Sequence, residues 1–309
     1  MSESLVLNDV FHPDERRAQA LAQFDIKSAP IRPAMPEQHR TFFAGLPYLL
    51  ASTIDDEGWP LATLFTGPPG FVSSPDDTHL RINAPRRQDD PALNAMFSGK
   101  EIGILGIDFS NRRRNRANGR IGRMDKNRIE IAIDQSFGNC PKYIQIREIY
   151  PVDRTTPPPA REDLPQMDDQ ARALISRADT LFVASHAYSE KAQGGADVSH
   201  RGGQAGFVKI DGNRLWIPDF VGNKFMNTLG NLLAKPKAAL LFPDFDTGDI
   251  LHLQGTTEIV WQPETIKGPE GAQRYWCVDV QRAWRFRQAL PWRGRNVEYS
   301  PASLGTGQW

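Results

Sequence analysis

The chain contains a divergent copy of itself. LLAS at residues 49–52 resembles FVAS at 182–185, 133 residues later. GFV at 70–72 recurs at 206–208, an offset of 136, and at that offset Asp108-Phe109 matches Asp244-Phe245 and Gly119 matches Gly255. Three matches at one offset mark a duplicated unit, which constrains the fold more than any local motif, because both copies must share one backbone. A length of 309 residues has room for two such units.

The copies have the same outline. FVKI, the turn Asp211-Gly212-Asn213 and RLWI read as a hairpin, since Asp-Gly supplies the left-handed turn between two short strands; FVSS-PDDT-HLRI is the looser counterpart. A short helix follows: Leu93, Met96 and Phe97 stand opposite Leu229, Leu232 and Leu233 with helical spacing. EIGILGI and KAALLF read as buried strands, and GDILHLQGTTEIVW as a longer one. Short antiparallel strands around one helix predict a mainly β fold of two tandem small barrels.

The prolines of PVDRTTPPPAREDLPQ, residues 151–166, favour an extended connection. The expected organisation is an N-terminal arm (1–35), a first barrel (36–150), a Pro-rich linker (151–172), a second barrel (173–262) and a tail (263–309) whose tryptophans, Trp276, Trp284, Trp292 and Trp309, pack back on the barrels.

Lys and Arg number 37, as do Asp and Glu, which argues against wholesale coating of nucleic acid or an anionic membrane. The two cysteines, Cys140 and Cys277, are too few for a disulfide framework and have no zinc-site spacing; no metal is expected, His200 and His252 included. Without a signal-like apolar run, or the roughly 20 apolar residues of a membrane helix, the expectation is a soluble cytoplasmic protein. Against this neutral background DFSNRRRNRANGR, residues 108–120, concentrates five arginines. They read as waiting for a local anion or, alternatively, as a solvated basic hairpin tip or ion-pair partners of acidic loops such as Asp244 to Asp249.

Comparing the copies separates what the fold requires from what one copy does. Opposite Arg112, Arg113, Arg114 and Arg116 stand Gly248, Asp249, Ile250 and His252, so the backbone does not demand the arginines. Asp89-Asp90-Pro91 is an ordinary helix start, with an acidic cap and Pro at the first helical position. The second copy has Gly222-Asn223-Lys224 leading into its helix, where a lysine suits a bound phosphate or carboxylate more than an empty helix end. Upstream, in ADVSHRGGQAGFV, Ser199 offers a hydroxyl, Arg201 a planar fork of donors, and Gly202-Gly203 close backbone approach. These residues alone point to a phosphate-bearing ligand on the second barrel.

ADVSHRGGQAGFVKI, LWIPDFVGNKFMNTLGNLLAKPKAALLF and DFDTGDILHLQG, with PPGFV, IDFSNRRRNRANGRI, QSFGNCPKYIQ and SPASLGTGQW, resemble the pyridoxamine 5′-phosphate oxidase-like, FMN-binding split-barrel family, and within it tandem-barrel flavin-nucleotide-binding proteins. The resemblance implies FMN with its phosphate on one barrel and its ring at the interface with the other. It places Ser199, Arg201, Pro218, Asp219, Asn223, Lys224 and Asn227 around the cofactor. The first copy has Arg86-Arg87-Gln88 followed by two carboxylates in place of Gly222-Asn223-Lys224, so one flavin per chain is expected. Arg112, Arg113, Arg114 and Arg116 would then face the flavin site from the first barrel. Cys140 could be a thiol at the flavin edge or a small buried residue, and Tyr143 and Gln145 alternate towards one face, the candidate site.

The function expected from this resemblance is a flavin-dependent oxidoreductase of unnamed substrate, the cofactor supplying the two-electron chemistry. The alternatives are a flavin carrier served by a separate ferredoxin reductase-like module, or a haem-binding split barrel. No GxGxxG strand-turn-helix unit offers a built-in nicotinamide domain. A homodimer is expected on general grounds.

Overall fold

The structure, a computed structural model, describes residues 9–153, 160–190, 193–222 and 224–309. After α1 (Pro13–Leu21), the first copy runs α2 (Glu37–Ala44), β1 (Tyr48–Ile54), β2 (Pro60–Thr66), β3 (Val72–Ser73), β4 (His79–Asn83), α3 (Pro91–Asn94), β5 (Glu101–Asp108), β6 (Arg113–Met124), β7 (Arg128–Gly138) and β8 (Ile146–Pro151). A short strand β9 (Glu162–Leu164) intervenes. The second copy repeats the order: α4 (Asp169–Arg177), β10 (Thr180–Ala187), β11 (Gly195–Gly202), β12 (Lys209–Asp211), β13 (Arg214–Phe220), α5 (Asn227–Ala234), β14 (Lys237–Pro243), β15 (Ile250–Val260), β16 (Ala272–Phe286) and β17 (Trp292–Glu298), with α6 (Pro301–Leu304) after it.

The sheets match strand for strand. The first has the order β2-β1-β5-β6-β7-β4-β3 and the second β11-β10-β14-β15-β16-β13-β12, with β9 added against β16. The chain is two tandem split barrels. β8 and β17, which occupy the same place in the two copies, pair antiparallel with each other, as a pseudo-two-fold axis requires.

Three of the four apolar cores among the described residues follow from strand alternation. Leu49 and Ala51 of β1 point into the first barrel, Leu181 and Val183 of β10 into the second. Their neighbours Tyr48, Leu50, Phe182 and Ala184 join Leu105, Phe109, Val198, Leu241 and Trp292 in a core between the barrels. Both faces of β1 and β10 are therefore buried, which explains their continuous apolar sequences.

Register also corrects the alignment of LLAS with FVAS. Leu50 faces Leu105 and Phe182 faces Leu241, so Leu50 corresponds to Phe182, one residue away from the sequence match. A one-residue slip would turn each side chain to the opposite face. The other matches have backbone causes. Gly70 and Gly206 have φ of +91° and +87°, in the left-handed region that favours glycine. Gly119 and Gly255 each follow a register shift, and a Cβ at either would collide with a carbonyl of the facing strand, that of Ala132 or of Asp279.

Two element assignments differ from the sequence reading. β16 lies wholly in the stretch expected to be tail, because the connection of three residues between β6 and β7 (125–127) becomes eleven between β15 and β16 (261–271) and breaks the repeat's offset. The stretch expected to be linker holds β9 and the start of α4; its residues 154–159 lie outside the described residues. The tail does dock: Trp309 Nε1 donates to Phe207 O at 2.8 Å, and Gln308 Nε2 to Ala205 O at 2.8 Å.

Candidate functional site

The site forms where β11, the end of β13 and the start of α5 meet β6 of the other barrel. Arg114 and Arg116 are two residues apart on β6 and so share one face. Arg116, 2% exposed, forms an ion pair with Asp197 (3.2 Å), donates to Asn227 Oδ1 (3.1 Å) and Ser199 Oγ, and lies 5.3 Å from the Phe137 ring centre. Its buried Nε has no hydrogen-bond partner among the described residues. Arg114 donates to Cys140 O (2.9 Å) and His200 O (3.2 Å). Arg201 and Arg274 both bind the buried carboxylate of Asp219, at 2.9 and 2.5 Å.

Ser199 is fully engaged: it accepts from Arg116 and from Thr228 Oγ1 (2.8 Å) and donates to Asp197 (3.3 Å). Asn227, the first residue of α5, donates to Glu15 Oε1 at 2.5 Å. Glu15 reaches this place from α1, whose capping residue His12 also contacts Asn231 of α5 (2.9 Å). Burial pushes the Glu15 carboxyl up to about 8, against the hydrogen bonds from Asn227 and the His12 amide that favour its ionised form.

The balance of charge follows. Four guanidinium groups (Arg114, Arg116, Arg201 and Arg274) face two carboxylates (Asp197 and Asp219), with Glu15 neutral below about 8, leaving an excess of two positive charges among these groups, to which Lys142 at the cavity rim adds a further cation. Burial, then the neighbouring Arg116 and Arg201, push Arg114 down to about 9; burial likewise lowers Arg201. Between them His200, 3% exposed, has no hydrogen-bond partner for either ring nitrogen among the described residues, and burial and then the arginines hold its pKa well below the ordinary histidine range. Such a site is electrostatically unfinished and would be relieved by an anion.

First-copy residues close the site from above. Tyr143 has φ +64°, its hydroxyl donates to Val221 O (2.9 Å), and its ring lies 5.3 Å from that of Phe220. A Cβ at Gly202 would strike Tyr143 O and the His200 ring, so glycine permits this approach. Arg114, exposed Cys140, Lys142, Tyr143, His200, Arg201, Gly202 and Pro218 line a cavity of about 30 Å³, room for one water.

Of the sequence-predicted residues, Ser199, Arg201, Gly202, Pro218, Asp219, Asn227, Arg114, Arg116, Cys140 and Tyr143 thus gather within this one site. Arg112 does not: at φ +60° in the turn before β6, it donates to Ile144 O (3.0 Å) and pairs with Glu298 (2.7 Å). Arg113, on the opposite face of β6, lies 5.1 Å from the Phe42 ring centre. Lys224 is exposed, 5.9 Å from the Phe24 ring centre, because Met226 at φ +62° separates it from the helix, which begins at Asn227. Asn223 lies outside the described residues. Gln145 is tied to the tail through Ser300 and Ser303. Sequence reasoning missed Arg274, hidden in β16 beyond the broken offset, Asp197, which stood unremarked in ADVSHR, and Glu15, whose contact no spacing announces. Among the described residues, no group of three or more His, Cys, Asp or Glu could hold a metal ion, and no helix is long and apolar enough to cross a membrane.

Residues 167–289, the second barrel including β16, match the family model for pyridoxamine 5′-phosphate oxidase. No curated protein sequence matches the chain. Among solved structures, similarity extends to the HupZ protein of Group A Streptococcus (15% identity, 38% of this chain and 92% of that one, TM-score 0.30). It extends also to a putative pyridoxamine 5′-phosphate oxidase from Lactobacillus delbrueckii (15%, 34% and 95%, TM-score 0.28) and a FAD-binding protein from Mesorhizobium loti (10%, 41% and 97%, TM-score 0.28). At such values the likeness assigns no activity.

Proposed function

We propose that this chain, a member of the pyridoxamine 5′-phosphate oxidase-like split-barrel family, binds one FMN at the second-barrel site and serves a flavin-dependent redox reaction. The observation that carries this reading is the excess of two positive charges around Arg114, Arg116, Arg201 and Arg274, which matches the nearly dianionic charge of a phosphate monoester. Arg201 and Arg114 would supply charge-assisted hydrogen bonds, and Arg116 would hold Ser199 and Asn227 in position. FMN, when bound, supplies two-electron transfer. An isoalloxazine ring exceeds the 30 Å³ enclosed here, so this reading requires segment 139–143, with Cys140 and Tyr143, to yield on binding.

Two of the rim side chains, Tyr143 and His200, are poor proton carriers at neutral pH: burial pushes Tyr143 up to about 12 and His200 far below its ordinary range. That favours electron or hydride transfer, including service as a flavin carrier reduced by a separate reductase, over chemistry that needs a protein acid or base.

The test is a visible absorption spectrum with extraction of any chromophore, followed by FMN titration of the parent and of Arg201→Ala. FMN bound by the parent, with affinity falling about tenfold or more in the variant, is the expected result. A Soret band, or a parent that takes up no added FMN, overturns the reading.

A further inference from the structure

The pseudo-two-fold axis that relates the barrels gives the second-barrel site a mate, formed by β2, the end of β4 and the start of α3 against β15. The mate is open: a cavity of about 520 Å³ lies there, lined chiefly by Phe65, Arg86, Leu93, Ile250, Phe286 and Leu290. That volume is in the range that takes small organic ligands.

Its chemistry differs from that of the flavin site at most corresponding positions, although the hydroxyl of Ser199 is kept in Thr63. Thr63 stands for Ser199, Phe65 for Arg201, Pro91 for Asn227, Ile250 for Arg114 and His252 for Arg116. The place of a phosphate is already taken by the buried carboxyl of Asp90, which accepts from Thr63 Oγ1 (2.5 Å) and, as cap of α3, from Ala92 N (2.8 Å). A second flavin phosphate would meet a carboxyl where its donors should be.

What remains is an apolar chamber with flat walls and a cationic rim. The His252 ring stacks on Trp284 (5.1 Å, 8° between planes), and the Arg87 guanidinium lies 4.0 Å from the Phe286 ring centre while binding Asp89 (2.7 Å). The side chain of half-buried Arg86 makes one hydrogen bond among the described residues, from Nη2 to Leu93 O (2.5 Å), which leaves most of its fork for a ligand. Flat apolar walls ending at a guanidinium suit a ring that carries a single carboxylate.

We propose that the first-barrel cavity binds an aromatic monocarboxylate, its ring among Phe65, Leu93, Phe286 and Leu290 and its carboxylate on Arg86.

The experiment is calorimetric titration of 2-naphthoate, and of neutral 2-naphthol, into the full chain saturated with FMN, repeated with Arg86→Ala and with Ala289→Trp, which fills the cavity from a half-buried position in its lining. One 2-naphthoate per chain is expected, about tenfold weaker in either variant, with 2-naphthol weaker by a similar factor and FMN affinity within about twofold of the parent throughout. Absence of 2-naphthoate binding, equal binding by parent and both variants, or a second FMN per chain that Ala289→Trp displaces would each overturn the proposal. A chain that takes up no FMN defeats the flavin reading alone, since the 2-naphthoate titration remains readable without it.

Discussion

The two barrels set the same backbone to opposite electrostatic uses. At the pair of positions where β6 faces β7 and β15 faces β16, the first barrel's strands place Arg116 against Phe137 and the second's place His252 against Trp284. Arg116 is a buried cation held by Asp197, Ser199 and Asn227; burial pushes His252 down to about 3, so it remains a neutral ring on another ring. The comparison teaches that the repeat fixes where a cleft must lie, while a few side chains decide whether its inner wall holds a buried cation or a neutral ring.

The sharpest way to break this comparison is to remove the charge from one side. Arg116→Met leaves Asp197 buried without its cation and should lower unfolding free energy in urea by about 4 kcal/mol, whereas His252→Met should cost about 1 kcal/mol. Equal costs would mean that Arg116 is packing like its mate and that the charge count has no energetic meaning.

Next come the positions where the barrels should agree. Gly119→Ala and Gly255→Ala each drive a methyl into a facing-strand carbonyl, and each should cost about 3 kcal/mol. A difference of more than about 1 kcal/mol between them would show that the two bulges are not equivalent.

These same glycines show how far the sequence could be read. Gly70, Gly119, Gly206 and Gly255 were visible as repeats because backbone geometry admits no substitute, and they fixed the tandem split barrels. The alternation of β6 is also present in the sequence: Arg114 and Arg116 share a face that Arg113 cannot, and Arg112 belongs to the turn before the strand. β16 was illegible because a longer connection moved it off the common offset, and Arg274 went with it. Glu15 could not have been found from spacing, since its contact with Asn227 joins residues 212 positions apart.

Glu15 sharpens the comparison through pH. Both barrels bury a carboxyl at the start of the repeat's second helix: Asp90 within the first copy, Glu15 lent to the second by α1. Burial raises both, Asp90 from 3.8 to about 6 and Glu15 from 4.5 to about 8, so each is protonated more readily in the folded chain. A raised folded-state pKa contributes stability that is complete below the unfolded value and lost as pH rises through the folded one. Stability should therefore fall between pH 4.5 and 8 on account of Glu15. Relative to the parent, Glu15→Gln should gain roughly 3–4 kcal/mol in urea unfolding on going from pH 5 to pH 8, and Asp90→Asn should gain a smaller amount at lower pH. A parent and Glu15→Gln that keep a constant difference across this range would place the ionised carboxylate, and its charge, in the site.

The smallest expected effect tests what a lysine near a helix start is worth. From sequence alone Lys224 and Arg201 look alike, two cations on one barrel near a phosphate. The structure parts them: Arg201 sits on buried Asp219 inside the site, whereas Lys224 is exposed beside Phe24, with left-handed Met226 between it and α5. An exposed cation next to a site contributes only a screened attraction, so Lys224→Ala should weaken FMN by about twofold at low salt and less at physiological ionic strength. Arg201→Ala should cost about tenfold or more at either. If Lys224→Ala matched Arg201→Ala in a salt-independent loss, the phosphate would have to lie at the surface beside Lys224, and the charge gathered around Arg116 would belong to the interface between the barrels instead of the ligand.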